Sequence, residues 1–218
     1  CVDHETVQQK EEKKNGAPCM DVPFSSVCNQ LTVAMHNVTY RTDILQKNNI
    51  HLDNCFYTDA EYLLYPIPYV KTVTVAPQTI YMYRVSLSTQ SMNINSLQRN
   101  CALHELVLGH LSDAYAAYEN SGTSEPKTAA FLRRNIARIA GMQLFIYLTA
   151  TDSKAAKQSA KAMVKTIKGK SETLYTELNG AKSFKMLTST NFLLFPVLAS
   201  MKKREVGANE SELFILMC

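Results

Sequence analysis

Two histidines and a glutamate between residues 104 and 110 form the first group whose types could do metal chemistry. His104-Glu105 followed by His110 is close to the zinc signature H-E-x-x-H, in which two histidines four residues apart share one helix face. Here the histidines are six residues apart, roughly 240° around a helix of 3.6 residues per turn. The imidazoles should therefore point apart, which predicts an exposed His104 and a His110 at the core edge, with no metal site.

Other motifs of small-molecule chemistry are missing from this sequence. It contains no P-loop, no G-x-G-x-x-G dinucleotide fingerprint and no G-x-S-x-G nucleophile elbow. It also contains no Asp-x-Asp pair that could hold a divalent cation between phosphates. No nucleotide-binding loop is predicted.

A basic stripe is predicted along one helix near the middle of the second half. Its lysines recur at steps of three and four residues: Lys154, Lys157, Lys161, Lys165 and Lys168. An apolar seam runs beside them, made of Ala156, Ala160, Met163 and Ile167. This pattern favours a solvated face above a seam that packs on the core. The alternative is shallow docking on an anionic membrane surface or an acidic partner.

The cysteines at positions 1, 19, 28, 55, 101 and 218 include no C-x-x-C pair. A chain with a good hydrophobic core needs no disulfide framework, so we expect reduced, mostly buried thiols and a cytoplasmic location. Cys1 is also compatible with a lipidated bacterial surface protein. The coding sequence just upstream would then show a lipobox.

The composition indicates a folded protein. The 218 residues are 46% hydrophobic and 19% charged, which excludes a wholly disordered chain. No apolar run reaches the roughly 20 residues that a membrane span needs. Residues 1–100 carry 8 basic and 9 acidic side chains, and residues 101–218 carry 15 and 10. This mild basic excess predicts no nucleic-acid partner.

The first hundred residues mix strand-like and helical patterns. A buried strand or a strand end is predicted at Gln30–Val38, and strands are predicted at Val70–Ala76 and Thr79–Val85, where β-branched and aromatic residues are frequent. Short helices are predicted at Thr42–Asn48 and at Asp59–Tyr65, the second ending before a proline.

After Ser96 the apolar residues recur at helical spacing. The predicted helices are Leu97–Glu119, Lys127–Thr151, Ser153–Lys168 broken at Gly169, Ser171–Leu178, and Phe184–Met201 kinked near Pro196. The expected fold is therefore α/β over residues 1–96 and an all-α helical bundle over residues 97–218, mainly helical overall.

Motifs of polar and aromatic residues follow one another between Met35 and Asn93. In order they are Met35-His36, Thr39-Tyr40-Arg41-Thr42, Phe56-Tyr57-Thr58-Asp59, Tyr65-Pro66, Tyr69-Val70-Lys71-Thr72, Tyr81-Met82-Tyr83-Arg84 and Gln90-Ser91-Met92. In order and spacing this stretch resembles the acceptor half of bacterial family 2 glycosyltransferases, which are inverting enzymes with a GT-A fold. The α/β segment would then be part of a GT-A domain.

The resemblance implies transfer of a sugar from a nucleotide-sugar donor to a glycan or lipid-linked acceptor, with inversion. Asp59 stands at the family's catalytic-base position, where a carboxylate takes the proton of the acceptor hydroxyl. A helix start suits a negative charge, although Asp59 could instead be only a helix N-cap. The resemblance also implies substrate contacts from His36, Tyr40, Arg84, Gln90 and Ser91.

Two parts of the family pattern are lacking. Ser86-Leu87-Ser88-Thr89 stand where relatives commonly have Gly-Arg-Glu-Gly, and no Asp-x-Asp is present to hold Mg²⁺ or Mn²⁺ with the nucleotide sugar. The resemblance therefore implies a C-terminal fragment of a cytoplasmic enzyme, with a peripheral position at the inner face of the membrane as an option. Alone, the fragment is expected to bind no cofactor and to be inactive.

A second hypothesis belongs to a different class of protein. In it the helical half is a non-catalytic module that docks a partner or a membrane, and the first half supports it. The upstream coding sequence would separate the hypotheses, because a βαβ pattern with Asp-x-Asp there supports the transferase.

Overall fold

The structure, a computed structural model, describes residues 20–76, residue 81 and residues 93–208. Within these ranges it is mainly helical, with ten α-helices and a single two-stranded sheet. Strands β1 (Met20–Pro23) and β2 (Thr72–Val75) pair antiparallel, with Met20 opposite Val75. The strand predicted at Val70–Ala76 is thus confirmed in a shorter form.

The first segment contains three short helices: α1 (Phe24–Val27), α2 (Thr42–Lys47) and α3 (Thr58–Leu64). A 3₁₀ turn at Ile67–Tyr69 follows α3. Helices α2 and α3 confirm the two short helices predicted there. The strand predicted at Thr79–Val85 lies outside the described residues, apart from residue 81.

The strand predicted at Gln30–Val38 is wrong, because no residue of this segment is in a strand and residues 30 and 35–37 lie in turns. The Asn37 side chain supplies the physical reason. Its Oδ1 accepts the Ala34 N–H at 2.7 Å, and its Nδ2 donates to the Thr32 carbonyl at 3.1 Å. These local bonds satisfy backbone groups that a strand would direct to a neighbour.

Seven further helices follow within residues 93–208: α4 (Ile94–Arg99), α5 (Cys101–Glu119), α6 (Pro126–Thr149), α7 (Ser153–Lys170), α8 (Glu172–Gly180), α9 (Lys182–Ser189) and α10 (Phe195–Ala208). The long helices α6 and α7 were predicted within two residues at each end. Helix α7 passes through Gly169, so the break predicted there is wrong. Lys170 holds this end of α7 by donating to the Gly109 carbonyl of α5 at 3.0 Å.

Two predicted helices are each divided in the structure. Asn100 separates α4 from α5, since its backbone leaves the helical region and its side chain donates to the Ser96 carbonyl at 3.0 Å. Between α9 and α10, Asn191 and Phe192 take positive φ values of 46° and 62°. Pro196 therefore lies in the first turn of α10, where proline is tolerated, and does not kink a continuous helix.

Helix α6 is the centre of the fold and packs against α5, α7, α8 and α10. Its buried residues include Phe131 and Ile136. Phe24 of α1 meets the Phe131 ring edge-on at a centroid distance of 5.2 Å, and Leu64 of α3 lies in the same core. Residues on both sides of position 96 therefore share one apolar core.

The apolar seam of α7 lies inside this core. All four of its predicted members are buried: Ala156, Ala160, Met163 and Ile167. This confirms that the seam packs on the core beneath the lysine stripe.

Candidate functional site

Asp59 lies exposed in the first turn of α3. The N-cap residue of this helix is Tyr57, and no side chain caps the helix by a hydrogen bond. The alternative role of Asp59 as an N-cap is therefore wrong. Glu61 and Leu64, three residues apart, form the buried face of α3, and Asp59 lies on the side away from them.

The carboxylate of Asp59 makes no hydrogen bond or ion pair with any residue that the structure describes. Every other aspartate in the described ranges forms a hydrogen bond or an ion pair. Asp21 bonds to Thr74, Asp43 to Arg41, Asp53 to His110, Asp113 to Lys170, and Asp152 to the first turn of α7. Asp59 is thus the one described aspartate that has no partner among the described residues.

Tyr57 starts α3 from a left-handed backbone conformation, with a φ of 70°. This conformation is costly for a bulky side chain, and such residues concentrate at functional sites. The Tyr57 ring packs edge-on against His104 at a centroid distance of 4.9 Å. Its buried hydroxyl has no hydrogen-bond partner in the described part of the chain. Burial, and then the nearby charge of Asp59, raise the pKa of this hydroxyl.

His104 is buried, so the prediction of an exposed residue is wrong. The reason is tertiary, because α5 packs against both α3 and α6 and encloses the face that carries His104. The His104 Nδ1 atom lies 2.7 Å from Gln143 Oε1 on α6. Burial lowers the pKa of His104, and the bond to Gln143 partly opposes that effect. His110 is half-exposed at the edge of the core, as predicted.

Asp53, Glu61 and His110 form a group that the sequence patterns did not reveal. One ligand-type atom of each lies within 4.8 Å of the others. His110 Nδ1 is 2.8 Å from Asp53 Oδ2 and 3.6 Å from Glu61 Oε1. Asp53 and His110 are 57 positions apart in the chain, and no local pattern joins them.

Hydrogen bonds within the protein satisfy the Glu61 carboxylate. The side chain of Glu61 is fully buried; its Oε2 accepts the Asp53 N–H at 2.8 Å, and its Oε1 accepts the Tyr65 O–H at 3.1 Å. These bonds, with the contact between His110 and Asp53, fasten the loop before α3 to α3 and α5.

Tyr40 is held on the end of α3 opposite to Asp59. Its hydroxyl donates to the Leu63 carbonyl at 2.7 Å, and its ring packs edge-on against Tyr62 at 5.4 Å. Burial, and then the Tyr62 hydroxyl, raise the Tyr40 pKa. The hydroxyl thus fastens the segment before α2 to α3.

Of the other predicted substrate contacts, the exposed His36 is described, and its ring stacks on Tyr81 at a centroid distance of 5.0 Å. Arg84, Gln90 and Ser91 lie outside the described residues. The structure thus bonds the Tyr40 hydroxyl to the C-terminal end of the helix that carries Asp59, and it stacks the His36 ring on Tyr81.

Comparison of the chain with protein-family models, with curated proteins and with solved structures found no match.

Proposed function

We propose that this chain supplies the acceptor side of an inverting sugar transfer from a nucleotide-sugar donor to a glycan or lipid-linked acceptor. Residues 1–96 would belong to a GT-A domain, and residues 97–218 would be its helical extension. The proposal draws on the ordered motifs between Met35 and Asn93 and on the environment of Asp59.

The observation that carries the proposal is the exposed Asp59 carboxylate, which bonds to no residue in the described part of the chain. A general base must have an oxygen free to take the proton of the acceptor hydroxyl. The hydroxyl oxygen then forms a bond to the anomeric carbon, and the bond to the nucleotide diphosphate breaks, with its electron pair leaving on the diphosphate. Attack from the face opposite the leaving group inverts the anomeric centre.

A base must also be held in place, and three contacts anchor the short helix that carries Asp59. The Tyr40 hydroxyl bonds to the Leu63 carbonyl at one end of α3. Glu61 ties the middle of α3 to the Asp53 backbone, and the Tyr57 ring packs against His104 of α5. Asp59 therefore projects from a fixed turn, as a positioned base requires.

In this proposal, residues outside this chain bind the nucleotide-sugar donor. The sequence has no Asp-x-Asp, and both oxygens of the buried Glu61 already accept hydrogen bonds within the protein. Mg²⁺ or Mn²⁺ would neutralise the diphosphate in the full-length parent enzyme. The contribution of this chain would be the base and the acceptor contacts, including His36 stacked on Tyr81.

The direct test is Asp59→Asn in the protein extended to include its nucleotide-binding half. We expect kcat for sugar transfer to fall by about 10² to 10⁴, the usual contribution of a general base. Asp113→Asn is the matched control, because Asp113 is an exposed aspartate on α5 that pairs with Lys170. If Asp59→Asn transfers sugar at the full rate, Asp59 is not the base.

A second experiment tests the assignment of the donor side. Isothermal titration of the isolated chain with UDP-sugars and Mn²⁺ should give no binding heat. Clear micromolar binding would show that the chain holds its own donor site. That result would leave the role of Asp59 to the kinetic test.

A further inference from the structure

Exposed apolar side chains gather where α9 gives way to α10. Leu193 is 74% exposed, Val197 56% and Met201 52%. Leu194, Val197 and Met201 follow one another at steps of three and four residues, so they share one face of α10 and the turn before it. The opposite face carries the buried Phe195 and Ala199. Helix α10 therefore presents an apolar face that no described residue covers.

The segments that form this part of the protein carry the excess positive charge. Helix α7 contains six lysines and no acidic residue, and residues 182–208 contain five basic residues and one acidic residue. These two segments thus carry +6 and +4, while the rest of the chain sums to −6. The net charge of +4 is therefore the sum of two strongly basic segments and an acidic remainder.

The basic and apolar surfaces adjoin one another, because α7 and α10 pack together. The Lys161 ammonium lies 5.8 Å from the centroid of the Phe192 ring, just before α10. Lys203 of α10 donates to the Ser153 hydroxyl at the start of α7 at 3.2 Å. We call the surface made of Leu193, Leu194, Val197 and Met201 with the lysines Lys154, Lys157, Lys161 and Lys165 the α7–α10 face.

We propose that the α7–α10 face docks on an anionic phospholipid surface. Exposed apolar side chains on α10 beside lysines on α7 combine the two attractions that hold a protein surface in the membrane interface. Lysines near an anionic leaflet add attraction that weakens with salt. Two copies of this face would repel each other through their like charges, so self-association is disfavoured. No described helix is long and apolar enough to cross a bilayer, and the docking is peripheral.

The proposal is independent of sugar transfer and is tested with the chain itself. Flotation is measured with vesicles of phosphatidylcholine alone and with vesicles that also contain phosphatidylglycerol, each at low and high salt. We expect binding to the anionic vesicles to exceed binding to neutral ones by at least about tenfold and to fall at high salt. Equal binding to both vesicle types, or none to the anionic ones, would overturn the proposal.

Two variants locate the surface. The triple variant Leu194→Ser, Val197→Ser, Met201→Ser should lose on the order of tenfold in vesicle binding, because it removes the exposed apolar contacts. The matched control is Leu52→Ser, Leu106→Ser, which removes exposed apolar residues elsewhere. Far-UV circular dichroism verifies that both variants fold. Equal binding by the triple variant and the control would contradict the assignment.

A separate measurement addresses self-association. Sedimentation equilibrium of the wild-type chain without lipid should show a monomer. A dimer that the triple variant converts to a monomer would assign the α7–α10 face to a second copy of the chain and would overturn the membrane proposal.

Discussion

Glu61 shows how a single buried carboxylate organises the surroundings of Asp59. Its two oxygens accept from the Asp53 backbone and the Tyr65 hydroxyl. In Glu61→Gln only one oxygen remains, so the Asp53 N–H keeps its acceptor only if the amide NH₂ turns to Tyr65, and the proton of the Tyr65 hydroxyl then loses its acceptor. We expect the free energy of unfolding to fall by about 1–3 kcal/mol, the usual cost of a buried polar group without its partner.

Urea denaturation measures the effect of Glu61→Gln. The control is Glu172→Gln, because Glu172 is exposed at the start of α8. That variant should stay within about 0.5 kcal/mol of the wild type. An unchanged stability for Glu61→Gln would mean that its hydrogen bonds do not hold the loop.

His104 makes the stability of the fold depend on pH. Burial lowers its pKa from the ordinary value of 6.5, so the unfolded chain binds this proton more tightly than the folded chain. The contribution of neutral His104 is complete above the unfolded pKa and is lost as the pH falls through the folded pKa. His104→Gln should therefore lose less stability than the wild type between about pH 7 and about pH 5.

Urea denaturation at several pH values tests this prediction. Glu119 and Glu125 have lowered pKa values, so their own losses begin only below the ordinary glutamate value of 4.5. Above that pH they therefore do not contribute to the difference in stability between the wild type and His104→Gln. Parallel pH profiles for the variant and the wild type would show that His104 is not responsible.

At the scale of elements, α7 shows that a glycine does not always end a helix. Gly169 lies inside a continuous helix, and a Cβ added there meets nothing within 4 Å. Gly169→Ala should stabilise the fold by about 0.5–1 kcal/mol, because alanine loses less backbone entropy in a helix. Thermal unfolding gives the comparison.

Gly122→Ala is the contrasting variant. Gly122 has a φ of +72°, which alanine adopts only at a cost. This substitution should lower the melting temperature. If Gly169→Ala also lowers it, the end of α7 is not the helix that the structure shows.

The elements also show which sequence patterns predict secondary structure correctly in this chain. The apolar repeat located α6 and α7 well, because a helix long enough to bury one face carries its own period. The β-branched residues of Gln30–Val38 misled, since Asn37 turns the chain there. The breaks at Asn100 and at Asn191–Phe192 come from backbone conformations that apolar periodicity does not encode.

At the scale of the whole molecule, both segments contribute to one core. Phe24 and Leu64 of the first segment pack with residues of α5 and α6. We expect residues 20–76 and 93–208 to unfold in one transition. Phe24→Ala should then lower the free energy of unfolding of both segments by the same amount, about 3–5 kcal/mol. Hydrogen exchange of α3 and α6 amides during denaturation measures this. Separate transitions would instead support two independent domains divided near residue 96.

The sequence by itself determined the long helices, the lysine stripe with its buried seam, and the position of Asp59 at the start of a short helix. These features depend on neighbours along the chain, and the local period expresses them. Only the tertiary structure decided that His104 is buried and that Asp53 contacts His110. It also decided that Asp59, alone among the described aspartates, has no hydrogen-bond or ion-pair partner among the described residues. Burial and pairing depend on which helices pack together, and that packing joins residues far apart in the chain.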